Sequence, residues 1–166
     1  MRNCLVVSNA SSLTLDDGML LSSGASTLLN CTVADNNNKV GISYKGGSVA
    51  VTNCIIWGHA TNDLSNFPTN TAGVLLNVGY SLFAVPNTMD GISGCMTNNP
   101  QFVNTATNDY RLKTISPCID KGLNDPSWMT GASDLIGAAR IQNKIVDMGA
   151  YETYAKPARG TFIILR

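Results

Sequence analysis

The chain repeats itself. Shifted by 23 positions, Gly18 falls on Gly41, Gly24 on Gly47, Asn30 on Asn53 and Cys31 on Cys54, and the match runs through sixteen positions without a gap. Between these anchors Met19 falls on Ile42, Leu21 on Tyr44, Leu28 on Val51 and Val33 on Ile56. An earlier pair, Asn3-Cys4, stands 27 residues before Asn30-Cys31. A weaker copy, Tyr80-Ser81-Leu82-Phe83, puts Ser81 27 residues after Cys54.

Periods of this length belong to leucine-rich repeats or to β-solenoids. The fixed leucines and helical half of the first are missing. Each copy instead holds three short strand-like runs, in the second copy Cys31-Thr32-Val33, Val40-Gly41-Ile42-Ser43-Tyr44 and Ser48-Val49-Ala50-Val51-Thr52. Asp35-Asn36-Asn37-Asn38 and Lys45-Gly46-Gly47 separate them with turn chemistry. Three strands and three turns per repeat predict an all-β parallel β-helix. Period-two alternation puts Cys31 and Val33 on the inner face and polar Thr32 outside. The Asn before each strand suits a left-handed turn residue. Stacking then places Asn3, Asn30 and Asn53 in one column, their amides free to bond along it, and Cys4, Cys31 and Cys54 in an inner column. Ser81 in the next copy favours reading those cysteines as small core residues rather than as metal or redox ligands.

Composition removes several classes of function. Eleven Lys and Arg balance eleven Asp and Glu, so no basic excess exists to neutralise nucleic-acid phosphates. One histidine, His59, excludes a multi-His metal site within the chain. No apolar run approaches the roughly 20 residues of a membrane span. Eighteen asparagines, with few Lys- and Glu-rich stretches, argue against an all-α fold. Five cysteines leave at least one thiol without a partner in the chain. The start, Met1-Arg2-Asn3-Cys4-Leu5, carries no signal peptide. With the repeats, it reads as a start inside, or very near, a larger β-helix.

From Tyr80 the repeat fades. Asn99-Pro100-Gln101-Phe102, Asp109-Tyr110-Arg111-Leu112, Ser116-Pro117-Cys118-Ile119-Asp120-Lys121-Gly122, Asp134-Leu135-Ile136-Gly137-Ala138-Ala139-Arg140 and Val146-Asp147-Met148-Gly149-Ala150-Tyr151-Glu152 follow in order. This series, with Asn53-Cys54-Ile55-Ile56-Trp57-Gly58 before it, resembles the C-terminal region of bacterial right-handed parallel β-helix repeat proteins of the choice-of-anchor group. Ile136 and Ala138 stand where that group often has acidic and amide residues, and Asn99 where it has Asp. The resemblance implies a right-handed helix of about three coils over residues 1–97, a C-terminal cap over 98–152, and a linker and β-prone tail over 153–166. It also implies an extracellular or cell-surface location. Within the cap, Asn124 or Asp125 suits an N-cap, with Pro126 in the first turn of a short helix. Trp128, Met129, Leu135 and Ile136 are expected to cover the core end. Asp120, Asp147, Glu152, Arg111 and Arg140 read as loop-pinning charges rather than an acid/base pair. Cys95 and Cys118, both outside the stacked column, are the pair placed for a disulfide. Residues 161–165 are expected as a strand along the side, over outward-facing Leu5 and Ile55, or donated to a neighbouring molecule.

No catalytic, cofactor-binding or metal-ligating residue is assigned. Asp16-Asp17, Asp35 and Asp63 are expected in separate turns, and Lys39, Lys45, Tyr44 and His59 are candidates to line one surface. Three functions stay open. The first is a non-catalytic segment acting in adhesion, carbohydrate contact or structural assembly. The second is the tail of a polysaccharide lyase or glycoside hydrolase whose active site lies in coils upstream. The third is a self-assembling filament subunit. The expected partners are a polysaccharide and a second copy meeting the N-terminal coil or the tail.

Overall fold

The structure, a computed structural model, describes residues 1–9, 17–22, 24–36, 40–66, 75–84 and 91–154. Its first ten strands fall into three parallel sheets. The first joins β1 (Leu5–Val7), β4 (Thr32–Ala34), β7 (Ile55–Trp57) and β10 (Leu82–Phe83) in that order. The second joins β2 (Asp17–Leu21), β5 (Val40–Tyr44) and β8 (Asn62–Asn66), and the third β3 (Ala25–Leu29), β6 (Ser48–Thr52) and β9 (Leu75–Gly79). Each strand from β1 to β7 therefore pairs with the strand three places on. Three complete triplets stack, and β10 starts a fourth.

The register follows the sequence repeat. Met19 pairs with Ile42, Leu21 with Tyr44, Leu28 with Val51 and Val33 with Ile56. Val6 pairs with Val33 at the 27-residue spacing. Leu28, Cys31, Val33, Ile42, Val49, Val51, Cys54 and Ile56 share one buried cluster drawn from all three sheets, with half-buried Cys4 packed against it. Asn3, Asn30 and Asn53 take φ of 50°, 50° and 54°, turning the chain from one sheet into the next. Asparagine tolerates that left-handed geometry better than most residues. Tyr80 holds the same place at φ 48° without that tolerance. At another corner, Gly24 and Gly47 stack with φ of 79° and 76°, and a Cβ on Gly47 would come within 1.9 Å of the Gly24 carbonyl oxygen.

The C-terminal segment corrects the expected cap. It does not plug the end of the stack; it lies along the outer face of the β1-β4-β7-β10 sheet. Phe102, Tyr110, Leu112, Cys118, Ile119 and Met148 pack there against Leu5, Val7, Ala34, Ile55, Trp57 and Leu82 in a second cluster. The cause is the sheet itself, whose strands are apolar on both faces and must be covered on both. Thr32, expected outside, is consequently buried, and its Oγ1 accepts from Ala150 N at 3.0 Å. Within this layer β11 (Phe102–Asn104) and β12 (Asp109–Leu112) form an antiparallel pair, and α1 (Pro126–Met129) is a single turn. Asp125 caps α1 by accepting from Ser127 N, with Pro126 opening the helix.

Several expected positions change with the layer. Leu135 and Ile136 are 45% and 60% exposed, so they cover no core. Trp128 sits beside the first triplet, under the Arg2 guanidinium at 4.9 Å. What meets the last triplet is the 91–96 segment: Tyr80 N donates to Ser93 O, Met96 N to Ser81 O and Phe83 N to Met96 O. All five cysteines are free thiols. Cys95 packs in the first cluster and Cys118 in the second, on opposite faces of one sheet, which is why they do not pair. The tail at 161–165 lies outside the described residues.

Candidate functional site

The polar residues form two buried columns and one open cleft. The first column is the asparagine ladder at the β3–β4 corner. Asn53 Nδ2 reaches Asn30 Oδ1 at 3.3 Å, the single amide-to-amide link among the described residues of this ladder. Otherwise the amides turn sideways into the C-terminal layer. Asn53 donates to Leu123 O at 2.9 Å and accepts from Leu123 N at 2.7 Å. Asn30 donates to Asp147 O and Asn3 to Ser133 O. Asn30, part of a glycosylation-like Asn30-Cys31-Thr32 run, is fully buried and unavailable for modification.

The second column was not visible as a site in the sequence. Asn9 Nδ2 donates to Asn36 Oδ1 at 2.9 Å, and Asn36 Nδ2 faces His59 Nε2 at 3.5 Å. His59 Nδ1 meets Asp63 Oδ1 at 2.7 Å, and the other Asp63 oxygen accepts from Ala84 N. These roles place the ring proton on Nδ1 and leave Nε2 as acceptor, an assignment drawn from the network. The residues stand 27 and 23 positions apart, the same spacings as the asparagine ladder. That spacing was the signal, hidden because polar turn residues are ordinarily taken as exposed. The His59 ring lies over Gly41, where a Cβ would come within 2.6 Å of it. Both side chains of the His59–Asp63 pair are sealed from solvent. The pair has the composition of an acid/base dyad but no path to a substrate, so it holds a corner.

The remaining candidates do not converge. Lys45 is exposed, Tyr44 is half-buried against the first cluster, His59 is buried, and Lys39 lies outside the described residues. They do not line one surface. Asp17 and Asp63 sit inside β2 and β8 rather than in turns, and Asp17 accepts from the Ser43 hydroxyl. Asp35 follows β4, and Asp16 lies outside the described residues.

Of the charges expected to pin loops, Arg140, Asp147 and Glu152 lie together inside the C-terminal layer. Arg140 is 0% exposed and meets Glu152 Oε1 at 3.1 Å. Its Nη2 also donates to Gly149 O and Asp147 O. Asp147 accepts from Asp120 N and Thr153 N, and buried Asp134 accepts from Ile136, Ala138 and Glu152 N–H groups. Burial pushes the Asp147 carboxyl up to about 6. Burial also pushes Glu152 up, with Arg140 pulling it back only in part. Arg111 pairs locally with Asp109 at the surface.

The thiols carry little chemistry. Burial holds Cys54 well above the ordinary thiol range and Cys118 at about 12. Hydrogen bonding with Cys54 lowers Cys31 to about 7, yet Cys31 is fully buried. Among the described residues, no group of three His, Cys, Asp or Glu is arranged to hold a metal ion. No described helix is long and apolar enough to cross a membrane.

The open cleft lies beside the end of β7. Trp57, Asp35, Asn99, Gln101, Asn104 and Lys113 are among the residues lining about 360 Å³ of space. There an aromatic ring and several polar side chains line the same space. Compared with known family models, curated proteins and solved structures, the chain matches none. The class defined by the fold is therefore stated from the structure: an all-β protein of stacked parallel sheets with a layer along one side.

Proposed function

We propose that this chain is a stretch of right-handed parallel β-helix from a secreted or cell-surface bacterial protein of the choice-of-anchor type, and that it serves as a non-catalytic scaffold. The strand order and the core shared by three sheets support the helix. The role is carried by one observation. Four charged residues of the C-terminal motifs, Asp134, Arg140, Asp147 and Glu152, are buried and bonded to backbone groups of their own layer, while Arg111 pairs with Asp109 at the surface. Groups committed in this way hold a surface in shape and are unavailable to a substrate.

Incubation of the protein with alginate, pectin and a glycosaminoglycan tests this. The expected result is no unsaturated product and no new reducing ends. Turnover that disappears in Lys45→Ala or Arg111→Ala would overturn the scaffold reading.

A second reading, assembly through the first triplet, is favoured by the edge of β2. Among the described residues β2 pairs only with β5, whereas the C-terminal half of β3 is partly covered by residues 1–3, the Met1 amine donating to Thr27 O, Leu29 N to Met1 O and Asn3 N to Leu29 O. Met19 and Leu21 are only half-buried there. An edge of unpaired N–H and C=O groups invites a further strand. Light scattering across a concentration series should show mass rising with concentration, and a monomer throughout would remove this reading.

A further inference from the structure

We propose that Cys4 and Cys31 are an oxidation site, forming a disulfide that ties the first triplet to the second, with the Cys4 thiol as the point of entry. The inference is independent of the scaffold reading and starts from the inner cysteine column.

Register brings the two thiols together. Leu5 pairs with Thr32, and Thr32 N donates to Cys4 O at 2.9 Å, so Cys4 stands opposite Cys31. Neighbouring parallel strands lie about 4.8 Å apart, inside the roughly 4.4–6.8 Å between Cα atoms that a disulfide spans. Orientation agrees. Each thiol of the column donates to the carbonyl two residues back: Cys4 to Arg2 O at 3.1 Å, Cys31 to Leu29 O at 3.3 Å and Cys54 to Thr52 O at 3.3 Å. The three side chains therefore point the same way, and the Cys4 and Cys31 thiols also bond to each other. The column of sulfurs ends at Ser81, whose hydroxyl donates to Gly79 O at 2.9 Å in the same place.

Access selects the pair. Cys31, Cys54, Cys95 and Cys118 are buried, and Cys4 alone is only half-buried. A low-molecular-weight disulfide such as oxidised glutathione therefore meets Cys4 first. The Cys4 thiolate attacks it, forming a mixed disulfide and releasing one glutathione thiolate. The Cys31 thiolate then attacks the Cys4 sulfur, and the second glutathione leaves. Two protein thiols lose two electrons and two protons, and one oxidised glutathione takes them up to become two reduced molecules. Cys31 suits the second step. Hydrogen bonding with Cys54 lowers its thiol to about 7, and the Arg140 guanidinium lies near enough to favour the thiolate. Burial raises the Cys4 thiol, so entry is the slow step and quickens as pH rises.

Trypsin separates the possible pairings, because Cys4 and Cys31 share peptide 3–39 while Cys54 and Cys95 lie in peptide 46–111. The folded full chain, reduced beforehand, is held in oxidised glutathione at mildly alkaline pH, quenched with acid, alkylated and digested. We expect peptide 3–39 to be lighter by two hydrogens and the other three cysteines to be alkylated, with Cys54→Ser behaving the same way. Amide exchange over Leu5–Val7 should slow, and the melting midpoint should rise by about 5 °C or more over the reduced protein. Cys4→Ser should lose both the link and the rise while melting close to the reduced protein, since its side chain is only half-buried. Five alkylated thiols after prolonged oxidation overturn the proposal. So does a glutathione adduct that stays on Cys4, a link between two different peptides, or two chains joined through Cys4.

Discussion

Asp147 shows how one buried side chain can set the pH response of a whole layer. Its two oxygens accept from Asp120 N and Thr153 N, yet desolvation dominates and raises its pKa to about 6. An unfolded aspartate titrates near 3.9. The folded protein therefore binds this proton more tightly than the unfolded chain does. Stability is greatest below about pH 4 and falls as pH rises through 6, by on the order of 2–3 kcal/mol from this group. The upward push on Glu152 has the same sign. Thermal melts between pH 4.5 and 8 should show the midpoint rising as pH is lowered. In Asp147→Asn that slope should flatten below pH 6, and an unchanged slope would assign the effect elsewhere.

At the level of the element, the strand corners do more than turn the chain. Asn53 combines a left-handed backbone with three side-chain bonds, two of them to Leu123. The two contributions can be separated. Asn53→Gly keeps the backbone and removes the bonds, and should cost about 2–3 kcal/mol at roughly 1 kcal/mol per bond. Asn53→Ala should cost about 1 kcal/mol more, because alanine resists positive φ. Asn3→Gly loses one exposed bond and should cost under about 1 kcal/mol. Urea titrations of the three variants check the order. The register of these strands was legible because each triplet stacks on its own copy, so the 23-residue shift named Leu28–Val51 and Val33–Ile56 directly. The seat of the C-terminal layer was not legible, since residues 98–152 carry no period. Its signal lay in the host sheet: Leu5-Val6-Val7 and Ile55-Ile56-Trp57 are apolar without interruption, the mark of a strand covered on both faces. Leu5 and Ile55 do face outward as their alternation implies, and Cys118, Ile119 and Met148 pack on them. The His59–Asp63 corner escaped for a different reason. Its members share the repeat spacing, but nothing in a turn sequence distinguishes a polar residue facing inward from one facing water.

Across the whole molecule, the asparagine ladder ties the layer to the stack once per triplet, at Asn3, Asn30 and Asn53. Stacked triplets have no natural stopping point, since any copy can seat on the last at about 4.8 Å. The segment from Leu123 to Ala150 does have one, because its anchor points are spaced for three copies. It therefore works as a gauge, against which a stack of the wrong height is detected as strain. Duplicating residues 31–53 inserts one more triplet and moves the far anchors apart by one strand spacing. The lengthened protein should keep its parallel sheets by circular dichroism. It should also exchange the Leu123 and Ala150 amides faster and melt lower than the original, although it buries more apolar surface. A lengthened protein with both amides still protected would show that the layer stretches to fit. If the gauge holds, the height of this stack is inherited from a segment that contributes no strand to it, and repeats can be gained or lost only when that segment changes with them.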